Sequence, residues 1–129
     1  MIALDTNIFI YTLNADARFG RRAAEVLRSD QPKMASELVF AEILSSSKLR
    51  DDGLRDQVRR FLEELAIEYA AVTREVLLGA ADLRRQHAGL KLADSIHLAS
   101  AVQNGAAVFA TNDQSIVRLQ IPGLKITSL

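Results

Sequence analysis

The 129-residue sequence contains no cysteine, and this absence excludes several classes of function. A chain without thiols can form no disulfide framework, no thiolate metal site and no cysteine nucleophile. The absence also fits a reducing compartment, and we expect a cytoplasmic protein.

Long apolar runs and an excess of charge of one sign are also missing. No stretch approaches the ~20 apolar residues needed to cross a bilayer. The first residues lack the basic segment, apolar run and small-residue cleavage site of an export signal. Sixteen basic and sixteen acidic side chains cancel. We therefore expect no membrane association, and any nucleic-acid role must depend on a local site rather than on overall charge.

What is present is typical of one globular domain, which we expect to span residues 1–129. Apolar residues make up 49% of the chain and charged residues 25%. This composition excludes a disordered or fibrous class, and the length suffices to bury a sizeable core.

Short apolar runs alternate with longer helical patterns along the chain. We predict strands at 2–4, 33–35, 67–72 and 106–110, with a fifth at an edge over 124–127. We predict a helix capped by Thr6 and Asn7, one from Ser36 toward Lys48, amphipathic helices at 19–28 and 54–65, and further helices at 73–87 and 92–103. This order predicts an α/β fold with a central, mainly parallel sheet of four to five short strands covered by helices on both faces.

Two carboxylates directly follow predicted strands. Asp5 follows the first strand in MIALDTN, and Asp113 follows the fourth in FATND. If these strands are neighbours where the strand order reverses, both side chains converge on one crevice, which is where ligands bind in open α/β sheets. The alternative for Asp5 is that it helps to cap the next helix.

Two further carboxylates interrupt apolar helical segments. Glu42 lies in LVFAEIL and Asp94 in LADSIHLASA. A buried carboxylate without a partner is strongly unfavourable, so each needs a cation or an ion pair. The alternatives are that each pairs with a lysine or arginine, Lys91 in the case of Asp94, or faces water on a polar stripe.

Taken together, the four carboxylates suggest a metal site. Oxygen donors from four separate elements, with no cysteine and little histidine, suit a hard divalent ion such as Mg²⁺ or Mn²⁺ and disfavour zinc. A metal would also compensate the repulsion among clustered negative charges. The ion would in turn meet a phosphodiester substrate.

The segments LDTN, AEIL, LADSIHLA and FATND resemble the four acidic motifs of the PIN domain family, in particular the small VapC-type toxins. The resemblance covers nearly the whole chain. It implies a PIN-like domain that acts as an endoribonuclease, hydrolysing RNA phosphodiester bonds with water activated by Mg²⁺ or Mn²⁺. It also implies a homodimer neutralised by a cognate VapB-type antitoxin.

The resemblance assigns roles position by position. The residues that match the catalytic and metal-binding positions are Asp5, Glu42, Asp94 and Asp113. Those that match supporting polar positions are Thr6 and Asn7. In the last motif, we expect Thr111 and Asn112 to act as supporting polar residues beside Asp113.

Three other features of the sequence lie outside these motifs or outside the acidic positions. We interpret His97 as a partly buried, hydrogen-bonded histidine rather than a ligand, and the arginines at 55, 59 and 60 as a solvated face rather than an RNA patch. The side chains of Phe9, Ile10 and Leu13 are candidates for an antitoxin groove, with burial in the core as the alternative.

Two other functions are alternatives to a metal-dependent nuclease. An aspartyl-phosphate phosphatase requires a second aspartate two residues after Asp5, where this chain has Asn7. A non-catalytic α/β interaction module would use the acidic pocket to bind a basic peptide or a structural metal.

Overall fold

The computed structural model describes residues 1–129, and all of its strands lie in one parallel sheet. The strands have the order β3-β2-β1-β4-β5. No helix is both long and apolar enough to cross a membrane. Along the chain the elements are β1 (Ile2–Leu4), α1 (Thr6–Leu13), α2 (Gly20–Arg28), β2 (Lys33–Ser36), α3 (Leu38–Leu44), α4 (Asp52–Glu64), β3 (Glu68–Ala70), α5 (Arg74–Gln86), α6 (Leu92–Gln103), β4 (Val108–Ala110), α7 (Gln114–Val117) and β5 (Lys125–Thr127).

The central strand β1 is paired on both sides. Its Ala3 lies opposite Met34 of β2 and opposite Phe109 of β4. The chain builds β1, β2 and β3 outward in one direction and then returns to place β4 on the other side of β1. The strand order therefore reverses between β1 and β4, which meets the condition for convergence of Asp5 and Asp113, and the ends of these two strands open into a shared crevice.

Helices cover both faces of the sheet because successive strand residues point to opposite sides. Ala3 belongs to one apolar cluster, which packs against α5, α6 and α7. Leu4 belongs to a second cluster, which packs against α1, α2, α3 and α4. The α/β architecture with a covered parallel sheet is thus confirmed.

Several element boundaries differ from the predicted ones for local reasons. The N-cap of α1 is Asp5 rather than Thr6 and Asn7. Helix α3 ends at Leu44, where a run of serines begins: the Ser45 hydroxyl donates to the Glu42 carbonyl, and Ser46 Oγ accepts from the Lys48 N–H. Serine hydroxyls that bond to the local backbone compete with helix continuation. Strand β4 starts at Val108 because the Ala106 N–H is bonded to Ala101 at the end of α6.

Candidate functional site

Asp5 lies at the centre of the sheet, immediately after β1. Its N–H donates to the Ala110 carbonyl of β4 at 3.0 Å, so the backbone pairing of the two strands continues to this residue. The residue is only 5% exposed. Oδ1 accepts the Thr6 N–H at 2.8 Å and so caps α1. The capping alternative is therefore correct for one oxygen of Asp5.

The second oxygen of Asp5 is held from β4. Thr111, which follows that strand and is completely buried, donates its hydroxyl to Oδ2 at 2.6 Å. The amide of Asn7 donates to the same oxygen at 3.3 Å and to the Thr111 hydroxyl at 3.2 Å. Burial raises the pKa of Asp5, and the hydrogen bond from Thr111 opposes this effect in part.

Glu42 reaches the site from α3 and is held through one oxygen. Its Oε1 accepts the Thr6 hydroxyl at 2.7 Å and a hydrogen bond from His97 Nε2. Burial raises the pKa of Glu42, but the hydrogen bonds from His97 and Thr6 outweigh it, so the net pKa lies below the usual value. The oxygen Oε2 makes no hydrogen bond within the protein.

His97 lies on α6 and is 2% exposed. Its Nε2 is 3.1 Å from the Thr6 hydroxyl as well as bonded to Glu42, whereas Nδ1 is buried without a partner. His97 is hydrogen-bonded as expected, but it is almost completely rather than partly buried. The ring joins the first turn of α1 to α3.

Asp94 and Asp113 complete the group of carboxylates. Asp94 lies in the first turn of α6 and is partly buried, and its carboxylate has no hydrogen-bond donor. Burial raises the pKa of Asp94, and the negative charges of Asp5 and Asp113 raise it further. Asp113 caps α7, since its Oδ1 accepts the N–H and the hydroxyl of Ser115 at 2.9 and 2.7 Å. Asp94 and Asp113 also line one cavity of about 320 Å³.

The negative charge of this crevice is hardly compensated within the protein. No lysine or arginine forms an ion pair with any of the four carboxylates, and the one basic side chain in contact with any of them is His97, which contacts Glu42. The predicted alternative in which Lys91 pairs with Asp94 is therefore wrong. No three of the acidic or histidine side chains converge tightly enough to form a ready-made metal site.

Sequence reasoning did not find two of these connections. The Thr6 hydroxyl links α1 to Glu42, 36 residues away, and Thr111 bonds to Asp5 across 106 residues. The sequence signal for both connections was the group of polar residues that directly follows β1 and the group that directly follows β4. Asn112 extends the second of these groups, because its N–H donates to Asn7 Oδ1 at 3.4 Å.

The fold and site define an α/β protein with an acidic crevice where the strand order of a parallel sheet reverses. The sequence matches the PIN domain family over residues 2–121. The chain thus belongs to the PIN domain family. No protein with a curated description matches it.

Solved structures of toxin–antitoxin proteins share this fold. VapBC2 from Rickettsia felis, bound to a promoter DNA fragment, is 21% identical with a TM-score of 0.75, covering 99% of this chain and 98% of that one. VapC20 from Mycobacterium tuberculosis, described as a sarcin-ricin loop cleaving toxin, is 16% identical with a TM-score of 0.75, covering 94% and 97%. A toxin-antitoxin complex from Klebsiella pneumoniae is 23% identical with a TM-score of 0.71, covering 96% and 95%.

Proposed function

We propose that this protein is a divalent-metal-dependent endoribonuclease and the toxin of a VapBC-type toxin–antitoxin pair. The observation that carries the proposal is the group of four carboxylates, Asp5, Glu42, Asp94 and Asp113, which come from separate elements and lack lysine or arginine partners. Asp5 and Asp113 also cap helices, but neither capping bond neutralises a charge, and uncompensated carboxylates that are wholly or partly buried destabilise a fold.

The residues fit a hard divalent ion by their chemistry. All four offer carboxylate oxygens, which Mg²⁺ and Mn²⁺ prefer. Asp94 has no donor of its own, and repulsion from its neighbours raises its pKa. A cation would remove that repulsion, so Asp5, Glu42, Asp94 and Asp113 are the residues that would hold it.

Hydrolysis in this site needs no nucleophile from the protein. A bound Mg²⁺ or Mn²⁺ supplies an acidified water and positive charge beside the scissile phosphate. The chain itself fixes the carboxylates: Thr111 and Asn7 orient Asp5, whereas Thr6 and His97 hold one oxygen of Glu42 and leave the other free to orient water. Asp94 and Asp113 flank the adjacent cavity, where the substrate backbone enters.

RNA is the proposed substrate because of the family and one structural neighbour. The toxin from Mycobacterium tuberculosis with the same fold is described as cleaving the sarcin-ricin loop. The crevice residues by themselves contain no feature that reads a 2′-hydroxyl.

The proposed partner is a VapB-type antitoxin, and the proposed assembly is a homodimer in the cytoplasm. The similar structures from Rickettsia felis and Salmonella typhimurium are VapBC complexes. A mainly apolar cavity of about 310 Å³ between α1, α3 and α4 would receive an antitoxin segment, and Ile10 and Leu13 line it. Phe9 is completely buried in the core, so its assignment to this groove is wrong.

Expression in a bacterium without any partner tests the proposal. We expect wild type to arrest growth and Asp5→Asn or Asp94→Asn to relieve the arrest at equal protein levels. Asp30→Asn is the control, since Asp30 is exposed, makes no ion pair and changes the net charge equally.

The purified protein provides the chemical test. We expect cleavage of a panel of RNAs to stop in EDTA and to return with Mg²⁺ or Mn²⁺. Full toxicity of both site variants, or no cleavage of any RNA with either ion, would instead favour the non-catalytic interaction module. Restoration by Zn²⁺ alone would contradict an all-oxygen site.

A further inference from the structure

A second cavity, of about 560 Å³, lies beside the acidic crevice between the start of α2 and the segment after β4. Its lining is mostly polar and includes Arg18, Phe19, Arg22, Asn112 and Gln114. Neither the acidic motifs nor the apolar groove between α1, α3 and α4 includes these two arginines.

The arginines of this cavity differ from those of α4 in having no acidic partner. Neither Arg18 nor Arg22 forms an ion pair. By contrast, Arg55, Arg59 and Arg60 all pair with acidic residues of their own helix, α4. The interpretation of these α4 arginines as a solvated face therefore stands, whereas the two arginines of this cavity are free to bind an anion.

An aromatic surface adjoins the two free arginines. The Arg18 guanidinium lies 5.0 Å from the centre of the Phe19 ring. Phe19 also packs against Tyr11, with the ring centres 5.2 Å apart. A guanidinium beside an aromatic ring is the combination with which proteins bind single-stranded nucleic acid, through phosphate contacts and base stacking.

Asn112 connects this cavity to the acidic crevice. Its N–H donates to Asn7 Oδ1, and Asn7 in turn donates to Asp5 Oδ2. The side-chain amide of Asn112 donates to the Tyr11 hydroxyl at 3.4 Å. The cavity and the crevice thus adjoin each other, since Asn112 lines the cavity and is linked through Asn7 to Asp5.

We propose that this cavity binds a nucleotide of single-stranded RNA next to the scissile phosphate. Arg18 and Arg22 contact the backbone phosphate, Phe19 offers a ring to the base, and Gln114 offers an amide to the base edge. This inference rests on the proposed nuclease function. It also assigns the path of the RNA over the protein surface. The RNA runs from the arginine cavity across Asn112 to the carboxylates.

The test compares two double variants with equal changes in net charge. The first is Arg18→Gln with Arg22→Gln, and the control is Arg55→Gln with Arg60→Gln on α4. Binding of a fluorescent single-stranded RNA of mixed sequence is measured in EDTA, where no cleavage occurs, from 0.05 to 1 M salt. Melting curves verify that both variants fold, and cleavage with Mg²⁺ is measured separately.

We expect the Arg18 and Arg22 double variant to lose salt dependence as well as affinity. Each phosphate contact to a single strand contributes about 0.7 to the slope of log K against log salt, so the slope should fall by about 1.4. At 0.1 M salt this corresponds to roughly 25-fold weaker binding, which disappears toward 1 M. The control should match wild type.

Equal affinity and slope in wild type and the Arg18 and Arg22 double variant would overturn the proposal, while cleavage by wild type would leave the nuclease function standing. Equal losses in both double variants would show a general charge effect and would also overturn it. Weaker binding of duplex DNA with unchanged RNA binding would assign the cavity to a different nucleic acid. Absence of both binding and cleavage in wild type would reject the two proposals together.

Discussion

The Thr111 hydroxyl donates a 2.6 Å hydrogen bond to Oδ2 of Asp5 between two neighbouring parallel strands. Both residues follow the last residue of their strand, and both are buried. The bond lowers the pKa of a carboxyl that burial raises. Thr111 is therefore the main internal support for the ionised form of Asp5.

Replacement of Thr111 by valine should expose this role. Valine keeps the shape but removes the donor, and a hydrogen bond to a charged group contributes about 1.5–3 kcal/mol. We expect a loss of this size in the free energy of urea unfolding at pH 7. Thr111→Ser retains the hydroxyl and should lose clearly less.

The cost of Thr111→Val should also depend on pH. Removal of the donor raises the folded-state pKa of Asp5 still further above its ordinary value near 3.8. A raised carboxyl pKa costs stability above that pKa, and the cost vanishes below the unfolded value, where the group is protonated in both states. The difference between wild type and Thr111→Val should therefore shrink as the pH falls from 7 toward 4. A difference independent of pH would mean that the hydroxyl acts on packing alone.

Asp94→Asn should stabilise the metal-free protein. Asp94 has no donor in the protein, and burial and neighbouring negative charges raise its pKa, so its ionised form destabilises the fold at neutral pH. Removal of such a charge should raise the free energy of unfolding by about 1 kcal/mol, which corresponds to roughly 4 °C in melting temperature for a chain of this size. Melting curves in EDTA measure the effect, and Asp30→Asn is the matched control.

Addition of Mg²⁺ should reverse this order. A ligand that binds only the folded state stabilises it by mass action. Wild type should gain more than Asp94→Asn, because the variant has lost one of the proposed ligands. An equal shift in both proteins would place the ion elsewhere.

His97→Leu should release Glu42. The histidine donates to Glu42 Oε1 and is almost completely buried, so leucine would leave the Thr6 hydroxyl as the only hydrogen-bond donor to Glu42. We expect about 1.5–3 kcal/mol less stability in urea unfolding. His97→Gln supplies an amide donor in the same region and should recover part of the loss; if leucine and glutamine cost the same, the bond to Glu42 contributes little.

The sequence predicted the elements of the sheet well because their signals are local. Strands β1 and β4 are short apolar runs followed at once by polar residues, and α6 has the predicted bounds, 92–103. The placement of Asp5 and Asp113 beyond neighbouring strands follows from topology, which the alternation of elements constrains.

The hydrogen bonds inside the site could not be predicted in the same way. The bonds from Thr6 and His97 to Glu42 join three helices, and no local pattern specifies how their side chains meet. The sequence also does not show whether Asp5 caps a helix or belongs to the acidic site. In the structure it does both, because Oδ1 caps α1 and Oδ2 is held by Thr111 in the crevice. The paired arginines of α4 and the unpaired Arg18 and Arg22 look alike in the sequence, because only the fold places their neighbours.

The position of β1 in the middle of the sheet governs when a growing chain can acquire activity. Strand β1 is synthesised first, and its partner β2 follows soon afterwards. The other edge of β1 has no partner until β4, more than 100 residues later, has been synthesised. Until that strand is synthesised, Asp5 lacks Thr111, and Asp113 is absent. Contacts between such distant parts of a chain form late and slowly. A nascent chain thus lacks the complete group of four carboxylates until residue 113 has been added, so the proposed nuclease activity requires nearly the whole chain.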